Sequence, residues 1–344
     1  MSIHSASTAS ASTNAFLHGV RIAGTGSAVP PQVLSNLDFE KFLDTSDEWI
    51  QQRTGIRERR VCDPLTEGTF TLSRDALARA LEASKMKASE LDLIICATCT
   101  GEMGCPSTAC RIGGELGAAP AAAFDLVAAC SGFVYSLNVA ETMIRAGRAR
   151  SVGVVGCDAM SGLVDYCERT VSILFGDAAG AAVLTRDADP SKGCIYQVMG
   201  ADGSGWRSLY IPRRPQELQP ADRTSGIRLG YLQMDGREVF KFAVSKFREV
   251  IEDAMAKTGL AVEDIGQVVC HQSNARIIEA AREKIGFRHD QVYVNIDRYG
   301  NSSAGSVGLC LDELVQAGKI PAGKPIIFVA FGGGLTWASS VWKI

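Results

Sequence analysis

Two stretches of the chain share one pattern: ALEASKMKASELDLIICATC, residues 80–99, and AMAKTGLAVEDIGQVVCHQS, residues 254–273. Each has an amphipathic helix, an acidic turn and a short apolar strand in the same order. The two stretches align when the first half of the chain is shifted by about half its length. Self-similarity of this kind indicates two like units, and alternating strands and helices predict a layered α/β fold.

The similarity continues downstream of these stretches. The segment ending MIRAGRA, residues 143–149, falls on the one ending LVQAGKI, residues 314–320. At that register, and without gaps, Cys130 lands on Asn301. We therefore expect these two residues at pseudo-equivalent places in two βαβ-rich halves.

The division of the chain is predicted from where polar and turn-forming residues collect, near Ser191. The expected units are a disordered leader, 1–18, an N-terminal half, 19–190, and a C-terminal half, 191–344. The leader is rich in Ser, Ala and Thr and has no Lys or Arg and no signal-peptide apolar region. The strands are nearly all apolar, so we expect sheets covered on both faces with a shared helical layer between them.

Composition excludes several classes of protein. The 344 residues are 46% hydrophobic with a formal net charge of -3 and no block of like charge, so nothing suggests a nucleic-acid or membrane surface. Eleven cysteines without a secretory signal predict reduced thiols and a cytoplasmic location. Cys96 and Cys99 form a C-x-x-C pair without a second pair, which favours a buried strand over a metal or redox site.

Cys130 has the strongest case for a nucleophile among the cysteines. In DLVAACSGFVYSLNVAETMIRAG it stands between a strand and the start of a helix. The positive end of the helix dipole is expected to favour the thiolate. The alternative is a small buried residue at a tight helix entry.

His271 follows the strand QVVC directly, so it should emerge at the carboxyl end of a buried strand, where α/β sites collect. It is the one credible catalytic imidazole, because His4 and His18 belong to the leader and His289 lies in the polar stretch GFRHDQ. The alternative is a satisfied core histidine.

Asn301 lies in DRYGNSSAGSVGLCLDEL, a Gly- and Ser-rich helix entry, where an asparagine is most often an N-cap. The alignment of Asn301 with Cys130 in the two halves of the chain favours a role in the active site. The terminal FVAFGGGLTW places three glycines after a strand, and these let backbone amides approach a reacting carbonyl, with an ordinary turn as the alternative.

Four motifs together, DLVAACSGF, HQSNARI, YGNSSAGS and AFGGGLTW, resemble the beta-ketoacyl-acyl-carrier-protein synthase III family. DTSDEWIQQRTGIRERR and FGDAAGAAVL add to the resemblance, which runs from about Val20 to Ile344. It implies a thiolase-like fold of five layers, αβαβα, a homodimer, and a triad of Cys130, His271 and Asn301.

The resemblance also implies a reaction. Cys130 would take the acyl group of an acyl-CoA primer and join it to decarboxylating malonyl-acyl-carrier-protein, which initiates fatty-acid synthesis without a metal or cofactor. The amides of Cys130 and Gly333 would hold the oxyanion, and His271 and Asn301 would donate to the enolate. Alternatives are an acyltransferase to an alcohol or amine, a polyketide-type synthase of specialised metabolism, and an inactive scaffold, which the complete triad disfavours.

Further contacts follow from the resemblance alone. Trp49, Arg53 and Arg169 would contact coenzyme A, and Asn274 would bind the pantetheine arm. Lys241 and Arg276 are candidates for docking the acidic carrier protein. The alternative is an interfacial tryptophan and solvated basic residues.

Two residues depart from the pattern of the family, and two other classes of enzyme are disfavoured. Cys105 precedes Pro106 in TGEMGCPSTAC, where members using short primers carry a bulky aromatic at the acyl tunnel, so we expect primers longer than acetyl. Ala338 stands where glycine is common.

A thiolase is disfavoured because Asn301 replaces a second catalytic cysteine. The GTGSAV stretch after Ala23 lacks the third glycine of a dinucleotide-binding motif, which disfavours an oxidoreductase.

Overall fold

The computed structural model describes residues 18–220, 222 and 227–344. The predicted leader lies outside these residues except for His18. The strands are β1 (Gly19–Ala28), β2 (Val33–Ser35), β3 (Glu58–Arg60), β4 (Leu93–Ala97), β5 (Ala122–Leu126), β6 (Ser151–Ala159), β7 (Asp177–Asp187), β8 (Gly193–Ala201), β9 (Leu209–Tyr210), β10 (Gln233–Met234), β11 (Gln267–Cys270), β12 (Ile326–Gly332) and β13 (Thr336–Lys343).

The α-helices follow the same order along the chain. They are α1 (Asn36–Phe39), α2 (Asp47–Thr54), α3 (Thr69–Ser84), α4 (Thr108–Leu116), α5 (Gly132–Arg145), α6 (Arg169–Ser172), α7 (Gly236–Thr258), α8 (Ala275–Ile285), α9 (Ile296–Tyr299) and α10 (Gly305–Gln316). In the part of the chain that is described, none of these helices is both long and apolar enough to cross a membrane.

Two sheets repeat one topology. The first has the order β1-β7-β6-β4-β5 and the second has the order β8-β13-β12-β11. In each, the first three strands form two successive antiparallel pairs, and the next pair is parallel. Where β5 lies in the first sheet, the second has a single parallel bridge between Val268 and Val292. The predicted pseudo-duplication is therefore confirmed.

The layers stack as αβαβα. Helices α5 and α10 lie between the sheets and share one core with both of them through residues such as Phe133, Leu137, Val307 and Phe328. Helices α3 and α4 cover the outer face of the first sheet, and α7 and α8 cover that of the second. The five-layered thiolase-like fold expected from the sequence is confirmed. The division at 190 and 191 stays a prediction; β7 ends at Asp187 and β8 begins after it.

Glycines let the central helix α10 lie directly on the first sheet. A Cβ at Gly180 of β7 would lie 2.2 Å from the carbonyl carbon of Gly308, and one at Gly305 would lie 2.2 Å from the carbonyl oxygen of Ala178. Only residues without a side chain permit this approach. It brings the start of α10, and with it Asn301, beside the start of α5.

Candidate active site

Cys130 lies in a tight turn between the first sheet and α5. The turn is a 3₁₀ helix, Ala129–Ser131, with a left-handed backbone at Ala129 (φ 48°). Cys130 is buried, and its Sγ lies 3.3 Å from Oγ of Ser303. A Cβ at Gly332 would lie only 2.6 Å from the amide nitrogen of Cys130. The end of β12 can therefore reach the Cys130 amide because a glycine stands there.

The sulfur of Cys130 is a thiol in the resting protein. Burial raises the pKa of Cys130 to about 12; the hydrogen bond with Ser303 opposes this shift, and the nearby carboxylate of Asp158 adds to it. This shift opposes the thiolate that the helix dipole was expected to favour, because burial removes water from the charged sulfur. A nucleophile at this position needs a group that takes its proton.

His271 emerges at the carboxyl end of β11, as predicted, and its imidazole is buried. Nδ1 lies 2.8 Å from Oγ of Ser306, which in turn donates to the carbonyl oxygen of Ser303 at 2.8 Å. Because the hydroxyl has a single proton, Nδ1–H is the donor to Ser306, and Nε2 carries the lone pair. Burial lowers the pKa of His271 to about 3, so the ring is neutral.

Asn301 is held by its backbone and by its side-chain oxygen. Its N–H donates to the carbonyl of Leu174 at 2.8 Å, and its carbonyl accepts from the N–H of Gly176 at 3.1 Å. Oδ1 accepts from the N–H of Ser303 at 2.9 Å, which leaves the two Nδ2 protons as donors. The N-cap of α10 is Ala304, so Asn301 is not the helix cap that its sequence context would favour.

The three predicted triad residues meet at one cavity. Cys130, His271 and Asn301 all line a narrow pocket of about 100 Å³, together with Phe331 and Gly332. The pocket joins a sulfur that can attack, a bare imidazole nitrogen and an amide donor. This set fits acyl transfer to sulfur and stabilisation of a charged oxygen.

A larger cavity of about 620 Å³ is also lined by Cys130. Gly333 and Ser303 line it near the sulfur. Its remaining wall is mainly apolar and comes from distant parts of the chain: Met103, Val127, Met160, Phe175, Leu209, Ile211 and Leu232. Cys99 also lies in this wall, beside the fully buried Cys96. The cavity has the size and lining of a site for a flexible apolar group.

The four residues predicted to contact coenzyme A form one cluster. The guanidinium carbons of Arg169 and Arg53 lie 4.8 Å and 5.8 Å from the indole centroid of Trp49. Nδ2 of Asn274 donates to the carbonyl oxygen of Arg53 at 3.1 Å, and Asn274 also lines the narrow pocket. Ser46 caps α2 by accepting from the N–H of Trp49, and Asn274 is the member of the cluster that joins it to the narrow pocket.

The two predicted docking residues lie on neighbouring helices. Lys241 is exposed on α7, where it pairs with Glu238 at 2.7 Å, and Arg276 is exposed in the first turn of α8. Lys241 lines a surface groove of about 520 Å³ between the two helices, and Arg248 and Lys284 line the same groove. The sequence analysis missed these last two; their spacing on amphipathic helices was the available signal.

Cys105 and Ala338, the two departures from the family pattern, lie apart from the triad. Cys105 is exposed, ahead of a cis peptide bond to Pro106, and the cavity wall within this chain uses its neighbours Met103 and Gly104. Ala338 is fully buried in β13, opposite Ala330.

Ser303 and Ser306 were missed by the sequence analysis, although between them they bond to all three triad residues. The run NSSAGS was the available signal, because hydroxyl residues at a helix entry commonly bond nearby polar groups. In the described ranges no three His, Cys, Asp or Glu side chains converge in a way that could hold a metal ion.

Comparison with known protein families gives one consistent match. The family described as "3-Oxoacyl-[acyl-carrier-protein (ACP)] synthase III" matches residues 124–203, and its C-terminal part matches residues 255–344. The first range contains Cys130, and the second contains His271 and Asn301.

Similar proteins cover nearly the whole chain. The beta-ketoacyl-[acyl-carrier-protein] synthase III of Caldanaerobacter subterraneus subsp. tengcongensis is 46% identical over 322 residues, which cover 94% of this chain and 97% of that protein. The crystal structure of 3-oxoacyl-[acyl-carrier-protein] synthase III from Aquifex aeolicus is 40% identical with a TM-score of 0.87, covering 95% and 100% of the two chains. The priming β-ketosynthase of the R1128 polyketide pathway is 35% identical with a TM-score of 0.85, covering 94% and 96%.

Proposed function

This chain belongs to the 3-oxoacyl-[acyl-carrier-protein] synthase III family, and on that premise we propose that it condenses an acyl-CoA primer with malonyl-acyl-carrier-protein. The reaction is a decarboxylative Claisen condensation through an acyl-Cys130 intermediate, and its product starts a fatty-acid chain. The observation that carries the proposal is the meeting of the Cys130 thiol, the His271 imidazole and the Asn301 amide at one pocket.

Loading begins with a neutral pair. The thiol of Cys130 attacks the thioester carbonyl while Nε2 of His271 takes the proton, so no isolated thiolate forms in the buried site. The amides of Cys130 and Gly333 stabilise the tetrahedral oxyanion. The carbon–sulfur bond to coenzyme A then breaks, and the leaving thiolate takes the proton back from the imidazolium.

Condensation needs donors rather than a base. The thioester oxygen of the malonyl group accepts from Nδ2 of Asn301 and from Nε2–H of His271. Solvent takes the proton from Nδ1 and supplies one to Nε2, and rotation of the Ser306 hydroxyl from the Ser303 carbonyl to Nδ1 stabilises that tautomer. Carbon dioxide leaves, the electron pair remains as an enolate, and its carbon attacks the acyl group. The bond to Cys130 then breaks, and the sulfur takes a proton from solvent.

Loss of carbon dioxide drives the new carbon–carbon bond, so the proposed reaction uses no metal, nicotinamide or other cofactor. Its two substrates are coenzyme A and carrier-protein thioesters, and for that reason we keep the cytoplasm as the predicted location.

The coenzyme A portion of the primer is assigned to the cluster that Asn274 joins to the narrow pocket. The indole of Trp49 offers an aromatic face for the adenine, and Arg53 and Arg169 offer guanidinium groups for the phosphates. Asn274 bonds the pantetheine arm as it passes towards Cys130. The cation–π contacts between these side chains hold the arginines beside the indole.

The carrier protein is assigned to the groove between α7 and α8. Lys241 and Arg276 lie on its two helices, and Lys284 and Arg248 add positive charge. An acidic carrier protein complements this surface and would deliver its arm over the cluster around Asn274.

A homodimer is proposed from the outer strand of the first sheet. Strand β5 exposes 40% of Phe124, and the residue after the strand, Val127, is 76% exposed. An apolar edge strand is a template for pairing with a second copy. Size measurement by light scattering should show a dimer that Val127→Asp weakens; a monomeric wild type would contradict this assignment.

Primer choice is proposed from the cavity beside Cys130. Its volume of about 620 Å³ and apolar wall suit primers longer than acetyl. A panel of acyl-CoAs, compared by rate of Cys130 acylation, tests this: a strict preference for acetyl would contradict it. The likeness to a polyketide priming synthase makes a role in specialised metabolism the second candidate.

The reaction itself is tested by intact-protein mass spectrometry. We expect acyl mass on the wild type and none on Cys130→Ala, and we expect malonyl-acyl-carrier-protein to discharge the acyl group as a 3-oxoacyl product. Acylation without that discharge would contradict condensation and favour transfer to an alcohol or amine.

A further inference from the structure

Arg59 on β3 is a fully buried arginine that has no part in the reaction as proposed so far. Within the described ranges it makes no ion pair, and burial lowers its pKa to about 10. Its guanidinium lies 4.7 Å from the ring centroid of Phe39. Burying a cation without a counter-ion is costly, so the groups that it holds decide its role.

One arm of the guanidinium reaches the segment that holds Asn301. Nη2 of Arg59 donates to the carbonyl oxygen of Ile173. The next residues of that segment, Leu174 and Gly176, make the two backbone hydrogen bonds to Asn301. Arg59 therefore bonds the residue directly before the segment that holds the backbone of Asn301.

The backbone around Asn301 also packs directly on the arginine. A Cβ at Gly300 would lie 3.2 Å from Cβ of Arg59, and one at Gly176 would lie 2.9 Å from the same atom. Gly300 further needs a left-handed backbone (φ 61°). The start of the Arg59 side chain thus fills the space between the two strands of backbone that flank Asn301.

The other arm reaches the helix assigned to coenzyme A. Nη1 of Arg59 donates to Oδ1 of Asn36 at 2.7 Å, and Nδ2 of Asn36 donates to Asp47 at 2.9 Å and to the carbonyl of Ile56 at 2.7 Å. Asp47 begins α2, and Ile56 follows its end. Asn36 is buried as well, so solvent does not compete for these bonds.

We propose that Arg59 is a positioning residue for the condensation: one arm holds Asn301 in place through the 173–176 segment, and the other fixes α2 through Asn36. The inference rests on the proposed function. It separates two effects, because the first arm serves decarboxylation and the second serves binding of the acyl-CoA primer.

The test compares half-reactions in the full-length protein. Arg59→Met, which keeps the bulk but not the donors, should slow decarboxylation of malonyl-acyl-carrier-protein by on the order of tenfold to a hundredfold, because small displacements of a positioned donor are costly. It should also raise the KM for acyl-CoA. Asn36→Ala should raise that KM and leave the decarboxylation rate unchanged.

Arg60→Met is the matched control, because Arg60 lies on the same strand and is assigned to neither arm; both half-reactions should stay at the wild-type level. If Arg59→Met does not fold, Arg59→Lys replaces it, with the same split expected because one ammonium cannot serve both arms. Wild-type decarboxylation by a folded Arg59 variant, or equal loss in Asn36→Ala, would overturn the inference. Failure of the wild type in both half-reactions would instead count against the proposed function.

Discussion

The turn that carries Cys130 and the turn that carries Asn301 occupy equivalent places in the two halves but are held differently. Each enters a central helix, α5 or α10, and each has one residue with φ 48°, Ala129 or Ser303. Asn301 is tied by two backbone bonds to the 174–176 segment and by Oδ1 to Ser303.

Cys130, in contrast, lines both the narrow pocket and the large cavity, and its sulfur bonds a hydroxyl. Two similar turns thus present an atom that must form and break a bond and a donor that must stay fixed, but at different positions: the residue with φ 48° comes directly before Cys130 and two residues after Asn301. We expect the two turns to serve different half-reactions.

Replacing the nucleophile Cys130 should have the largest effect, and this effect should fall on the acyl-loading half-reaction. Cys130→Ser should lower the rate of acyl loading by on the order of 10⁴-fold or more, because a hydroxyl in the same place is a far weaker nucleophile. Time-resolved intact mass measures it. Cys99→Ser, in the same cavity wall, is the control; loading that depends on Cys99 instead would break the assignment.

The turn that carries Asn301 is expected to matter for the decarboxylation of the malonyl group. Asn301→Ala should lower the rate of malonyl decarboxylation by about 10²–10³-fold, since it removes one donor to a developing oxyanion, and should leave acyl loading nearly intact. Release of carbon dioxide measures decarboxylation, and intact-protein mass spectrometry measures acyl loading. Ser302→Ala changes a buried neighbour and serves as control; equal loss in both variants would mean that the turn was merely disrupted.

Acid should lower the free energy of unfolding, because the folded protein keeps the imidazole of His271 neutral. The pKa of His271 falls to about 3 in the folded protein from the ordinary 6.5, because burial disfavours the cation. Its contribution to stability is therefore complete above pH 6.5 and is lost as the pH falls towards 3, at about 1.4 kcal/mol per pH unit.

Denaturant titrations between pH 7 and pH 4 should show this slope for the wild type and a shallower one for His271→Gln. Identical slopes for the two proteins would contradict the assigned pKa shift.

The smallest effect is expected at the hydroxyl that joins His271 to the Asn301 turn. Ser306→Ala removes the partner of Nδ1 and should slow decarboxylation by about 3–10-fold, the size of a single neutral hydrogen bond. Acyl loading should fall by a similar factor, because the same hydroxyl accepts from Nδ1–H in the tautomer that leaves the lone pair on Nε2. Unchanged rates for both half-reactions would contradict the roles given to the two tautomers.

The sequence was sufficient for the features that depend on local pattern. The repeat at residues 80–99 and 254–273 predicted the duplicated sheets, because helix–turn–strand periodicity is a local property of the sequence. The overlay of Cys130 on Asn301 came from the second match, residues 143–149 on 314–320, and stays a prediction. The position of His271 followed in the same way, from the end of an apolar strand.

Features that depend on packing between distant segments were not predictable. The raised pKa of Cys130 could not be predicted, because the position of a residue at a helix start is visible in a sequence, whereas the burial of its sulfur is not. Arg59 looked like one of several arginines in GIRERR, and only the fold shows that it lies beneath Asn301.

The most direct test of the account is decarboxylation of malonyl-acyl-carrier-protein by Cys130→Ala. We predict that this variant takes up no acyl group but still releases carbon dioxide and forms acetyl-carrier protein, and that adding Asn301→Ala stops the release. A folded Cys130→Ala that cannot decarboxylate would contradict the division of labour between the two turns.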